Sequence, residues 1–109
     1  MSTEAITSPL RIAADHPAFD GHFPGQPILP GVALLAEVLE AAHDEPRLAA
    51  AIGAEPRLVV AKFLGAVLPG ASLAIEFRLG IKGLDWRVVD GARTVASGQF
   101  ALAAGLPTP

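Results

Sequence analysis

The stretch from Asp15 to Gly31, DHPAFDGHFPGQPILPG, constrains this chain more than any other. It holds Pro17, Pro24, Pro27 and Pro30 together with Gly21, Gly25 and Gly31. Each proline fixes its own φ and drives the residue before it to extended backbone. The spacing predicts a rigid, irregular loop with no helix in it, held at reduced entropic cost. After Pro30 the composition switches to GVALLAEVLEAAHDE, which is Ala/Leu/Glu-rich and opens on a proline, where helices tend to begin. On a helix over 31–44, Glu37, Glu40 and Asp44 share one narrow acidic face. Val32, Leu35, Leu39 and Ala42 make the other, apolar face. A helix this apolar is expected to be wrapped by other structure.

The second half reads as strands over 57–67, 73–79, 84–89 and 93–102, the second of them alternating cleanly between apolar and polar. Pro69-Gly70 marks one turn and Asp90-Gly91 signals a two-residue hairpin. A short strand at 10–13 and a second short helix at 46–53 complete the elements, with loose ends at 1–8 and 105–109 of a single domain spanning 1–109. Four antiparallel strands with one apolar face need a cover, and the 31–44 helix is the candidate. The fold class is therefore α+β, an antiparallel sheet around one central helix. At 109 residues, 51% of them hydrophobic and 17% charged, the chain is more apolar than a monomer of its size readily buries. A ligand cavity or an oligomer interface is expected, with 57–64 as the candidate pairing edge because its apolar run is hazardous if left open.

Other classes are excluded. Eight basic and eleven acidic residues give a net charge of -3, and the basic ones are scattered, which argues against nucleic acid. The chain has no cysteine, so disulfides, a thiolate nucleophile and Cys-ligated zinc are ruled out. No His/Asp/Glu spacing suggests a metal site, and no cofactor is expected. The start of the chain lacks a signal-peptide pattern and no apolar run reaches membrane-spanning length. A cytoplasmic protein with no membrane partner is the expectation.

The run Gly21-His22-Phe23-Pro24-Gly25, followed by Gln26-Pro27-Ile28-Leu29-Pro30-Gly31-Val32, resembles the signature of the 3-hydroxyacyl-acyl carrier protein dehydratases, hotdog-fold enzymes of fatty-acid synthesis. GHFPG-x-P-x-x-PGV fixes nine residue types over twelve positions. The later AKFLGAVLPGASLAIEFRL is similar to the family's strand–PG–strand rhythm, so the resemblance covers residues 10–104. The short lead and DHPAF look like the small dehydratase-like proteins of aryl polyene or polyketide-type clusters.

A neutral imidazole at His22, presented from a stiff loop, suits proton abstraction near neutral pH. The free N–H groups at the helix start, Gly31 and Val32, suit the charge that develops on a thioester oxygen. The resemblance implies these roles: His22 as catalytic histidine and Gly31 and Val32 as the amides that polarise the carbonyl. Phe23 and Ala36 are expected beside the substrate. His16, at the strand-to-loop edge, and His43, near a helix C-terminus, read as structural.

The chain departs from the family at the second catalytic residue, a Glu or Asp on the helix fourteen positions after the histidine, which here is Ala36. Glu37 is turned by about 100° from it, and Glu40 lies one turn on, offset by about 40° and about 6 Å along the axis. Asp20 is a third candidate substitute; the alternative reading of Glu37, Glu40 and Asp44 is a solvated acidic stripe.

Three readings follow. The first is dehydration of a (3R)-hydroxyacyl-acyl carrier protein to the trans-2-enoyl thioester, with His22 as base and Glu40 or Glu37 as acid. The second is a non-catalytic homologue that binds acyl chains or pairs with an active subunit. The third is a hotdog thioesterase. The substrate is an acyl thioester on acyl carrier protein or CoA, and the assembly a homodimer or a heterodimer with another dehydratase-like subunit.

Overall fold

The computed structural model describes residues 4–19 and 28–103. Five strands, β1 (Glu4–Arg11), β2 (Leu58–Phe63), β3 (Ser72–Leu79), β4 (Leu84–Asp90) and β5 (Arg93–Phe100), form one antiparallel sheet in the order β1-β3-β4-β5-β2. Two helices, α1 (Gly31–Asp44) and α2 (Pro46–Ile52), lie between β1 and β2 in the chain. This is the hotdog arrangement that the resemblance implies. Among the described residues no helix is long and apolar enough to cross a membrane.

The alternation of β3 sets the sheet's two faces: Leu73, Ile75 and Phe77 are buried and Arg78 is exposed. The row Ile75–Val88–Ala96 runs across three strands with no exposed surface. The opposite face carries polar pairs, among them Arg87 Nε to Glu76 Oε1 at 2.9 Å and Gln99 to Asp85 at 2.8 Å. In the neighbouring inward row Trp86 faces Gly98, and a Cβ at residue 98 would stand 2.4 Å from both the indole ring and the Val60 carbonyl oxygen. Gly98→Ala is therefore expected to lower stability by about 1–3 kcal/mol. Urea unfolding checks it; an unchanged midpoint would contradict the close packing.

The structure corrects four expectations. Residues 4–8, read as part of a loose end, belong to β1, where Glu4 to Ser8 pair with Leu79 back to Ile75. Pro9 is tolerated there because β1 is an edge strand. Residues 105–109 lie outside the described ones. The two-residue loop is Gly91-Ala92, since Asp90 still pairs with Arg93 and Gly91 takes φ 62°. Within the Pro/Gly stretch, Pro17–Phe19 makes one 3-10 turn, its proline already set at a helical φ. On α1 the buried residues are Leu34, Val38 and Ala42, whereas Val32, placed on the covered face, is 76% exposed.

The Pro69-Gly70 turn is as expected: Gly70 has φ 80° and Ala71 N–H donates to the Leu68 carbonyl at 3.2 Å, a type II turn.

Candidate active site

Of the residues singled out in the sequence, Gly31 and Val32 open α1, and Ala36, Glu37 and Glu40 follow along it. Pro30, at φ -61° and ψ 147°, ends the extended stretch, and no side chain caps the helix that follows. The amides of Ala33 and Leu34 both donate to the Pro30 carbonyl at 3.0 Å. Gly31 and Val32 are thus left with N–H groups that have no acceptor inside the helix. They lie at the positive end of the helix dipole, where an oxygen gaining negative charge is stabilised.

Two contacts fix this helix end. Leu29 is 5% exposed and its amide donates to the Val67 carbonyl at 2.8 Å. Phe63 on β2 packs over Gly31 so closely that a Cβ there would come within 3.1 Å of the ring. Glycine allows both that packing and an open backbone. Phe63 is the residue sequence reasoning misses. Its one signal there is an inward period-2 place in β2, opposite Ala96.

Val32, Ala36, Glu40 and Asp44 follow one another at four-residue spacing and all are exposed. Ala36, where the resemblance places a carboxylate, and Glu40, one turn on, therefore share a stripe that points away from this protomer's own core. Glu37 leaves that stripe. Its Oε2 accepts a hydrogen bond from His16 Nε2 at 2.9 Å, with the two side chains 28% and 22% exposed. His16 Nδ1 accepts the Ala18 N–H at 3.0 Å. That contact puts the imidazole proton on Nε2 and leaves His16 no open lone pair with which to act as a base. His43 donates from Nε2 to the Gly53 carbonyl at 2.9 Å, joining the ends of the two helices. Asp20, His22 and Phe23 lie outside the described residues.

An open groove of about 810 Å³ crosses the outer face of the sheet, between rows that include Thr7, Lys62, Glu76, Arg78 and Arg87. A smaller hollow of about 170 Å³ separates β1 from the end of α1, near Ile6, Ala41 and Asp44. Neither touches Gly31 or Val32. The outer groove is lined by strand residues, with Arg87 paired to Glu76 and Gln99 to Asp85, and no helix terminus lines it.

The family described as ApeI-like, ApeI dehydratase, matches residues 1–99. The 3-hydroxyacyl-[acyl-carrier-protein] dehydratase FabZ of Myxococcus xanthus is 34% identical over 113 residues, covering 89% of this chain and 71% of that protein. Among solved structures, the dehydratase heterocomplex ApeI:P from Xenorhabdus doucetiae aligns with a TM-score of 0.72 at 23% identity, over 94% of this chain and 95% of the other. A variant of the fluoroacetyl-CoA-specific thioesterase FlK, in complex with fluoroacetate and CoA, aligns with a TM-score of 0.65 at 18% identity, over 94% of each chain. At such identities these two structures speak for the fold alone.

Proposed function

The chain belongs to the family of ApeI-like dehydratases, and from that premise we propose a function: it removes water from a 3-hydroxyacyl thioester borne on acyl carrier protein, giving the trans-2-enoyl thioester. The observation that carries this reading is the uncapped start of α1, with two amides free of the helix ladder directly after the His22 loop. His22 takes the proton from C2. The electron pair moves toward the thioester carbonyl, whose oxygen is held by the Gly31 and Val32 amides. The C3 hydroxyl then leaves as water, protonated by the Glu40 carboxylic acid. The C2–H and C3–O bonds break, the C2–C3 double bond forms, and the proton on His22 is passed back to restore Glu40.

Glu40 is favoured over Glu37 because it shares the exposed stripe with Ala36 and is not hydrogen-bonded to His16. Because that stripe faces away from the protomer, the acid serves the site of a second copy. Phe23 and Ala36 flank the substrate. The second copy pairs along the open edge of β2, where Val59 is 56%, Phe63 48% and the adjoining Leu64 63% exposed. Val59→Lys places a charge on that edge at little cost to the protomer's fold. The expected result is a shift from dimer to monomer in sedimentation with the circular dichroism retained. A Val59→Lys protein that remains dimeric would move the interface elsewhere.

The direct test is turnover of a 3-hydroxyacyl thioester by the purified chain, read as the enoyl product. Ala36 supports a second reading, a subunit that completes a heterodimer whose other chain brings the acid. That reading takes over if the isolated chain binds an acyl thioester and converts neither the hydroxyacyl nor the enoyl form. Release of free thiol would instead favour thioester hydrolysis.

A further inference from the structure

We propose that Glu37 is a positioning residue, which acts through His16 to fasten the 13–19 segment to helix α1 and so anchors the chain three residues before His22. The inference rests on the reading of His22 as the base.

Four polar groups of His16 are engaged. Its N–H donates to the Ala13 carbonyl at 3.1 Å, and its own carbonyl accepts the Phe19 N–H at 3.0 Å. Nδ1 accepts the Ala18 N–H at 3.0 Å, and Nε2 donates to Glu37 at 2.9 Å. The Phe19 ring stands edge-on to the imidazole, with centroids 6.2 Å apart and planes at 79°. The first three bonds make the segment a single folded unit. The fourth is, among the described residues, the one side-chain hydrogen bond that ties this unit to α1.

Chain length makes this tie matter. His22 follows Phe19 by three residues and precedes Ile28 by six. Fully extended, the short arm reaches at most about 11 Å and the long one about 22 Å. The 13–19 unit is thus the stricter anchor of the two. On α1, Glu37 is five residues beyond Val32, about 7.5 Å along the axis. The pair therefore refers the position of Phe19, three residues before His22, to the same helix that carries the Gly31 and Val32 amides.

The chemistry separates positioning from proton donation. Glu37 works here as an acceptor, which a glutamine carbonyl can replace, whereas glutamine cannot act as a general acid. Glu37→Gln is expected to keep kcat within about threefold. Glu37→Ala is expected to lower kcat about 10- to 100-fold with little change in KM, as misplacement of a catalytic group does. His16→Asn, which can still accept from Ala18 but cannot reach Glu37, is expected to match Glu37→Ala and provides the same test if that variant does not fold.

A second readout needs no turnover. Hydrogen exchange at the Ala18 and Phe19 amides should accelerate in Glu37→Ala and stay slow in Glu37→Gln, in the wild-type chain and in His22→Ala alike. A Glu37→Gln protein as inactive as Glu37→Ala would make Glu37 a proton donor and overturn the proposal, as would unchanged exchange in Glu37→Ala. If His22→Ala is fully active, the reading of the base fails on its own evidence, and the exchange result still decides whether Glu37 holds the segment.

Discussion

Replacing His22 by alanine is expected to lower kcat for dehydration by about 10²–10⁴-fold, the usual contribution of a positioned base. KM should change little, because the imidazole does its work on a proton that moves only as the transition state forms. Residual turnover would come from the Gly31 and Val32 amides, which still hold the thioester oxygen. Steady-state kinetics in both directions, enoyl hydration as well as hydroxyacyl dehydration, should show the same loss, since one group serves both. A His22→Ala protein as fast as the parent would remove the mechanism, whatever the family.

Glu40→Gln is expected to be nearly as damaging, with a loss of about 10²–10⁴-fold, because the amide cannot protonate the departing hydroxyl. The more telling result comes from mixing. Ala36 and Glu40 lie on an exposed stripe of α1, so the acid is expected to complete the partner's site. Subunits carrying His22→Ala and subunits carrying Glu40→Gln, each inactive, should then regain about a quarter of parental activity when exchanged in equal amounts. Half of the dimers are hybrids, and each hybrid has one intact site of two. No recovery despite demonstrated subunit exchange would place the acid within its own protomer or on a different chain.

Much of this protein can be read from its residues, and the reasons are local. Pro30 followed by an Ala/Leu/Glu run marks where α1 starts, because φ at proline and helix propensity are properties of neighbouring residues. The alternation of Leu73, Ile75 and Phe77 gives β3 and its inward face in the same way. Misreadings cluster where a partner distant in sequence decides. Residues 4–8 are strand only because β3 offers them a free edge, which nothing in MSTEAITS announces. The covered face of α1 depends on packing into the shared core, which buries Leu34 and Val38 and leaves Val32 outside.

For the site, the motif from Gly21 to Val32 nominates both the amides and the candidate base, since both come from one short segment of sequence. Sequence spacing also puts Glu37 and Glu40 on α1 and favours Glu40, offset by about 40° from Ala36 against about 100° for Glu37. Tertiary structure adds what spacing does not: a histidine twenty-one residues away hydrogen-bonds Glu37, while Glu40 stays on the outward stripe with Ala36. Phe63, thirty-two positions from Gly31, closes on the helix start by the same kind of long-range contact. Backbone preferences and short motifs are encoded between neighbours along the chain. Which carboxylate gains a partner, and which ring covers a glycine, depends on how sheet and helix meet in space.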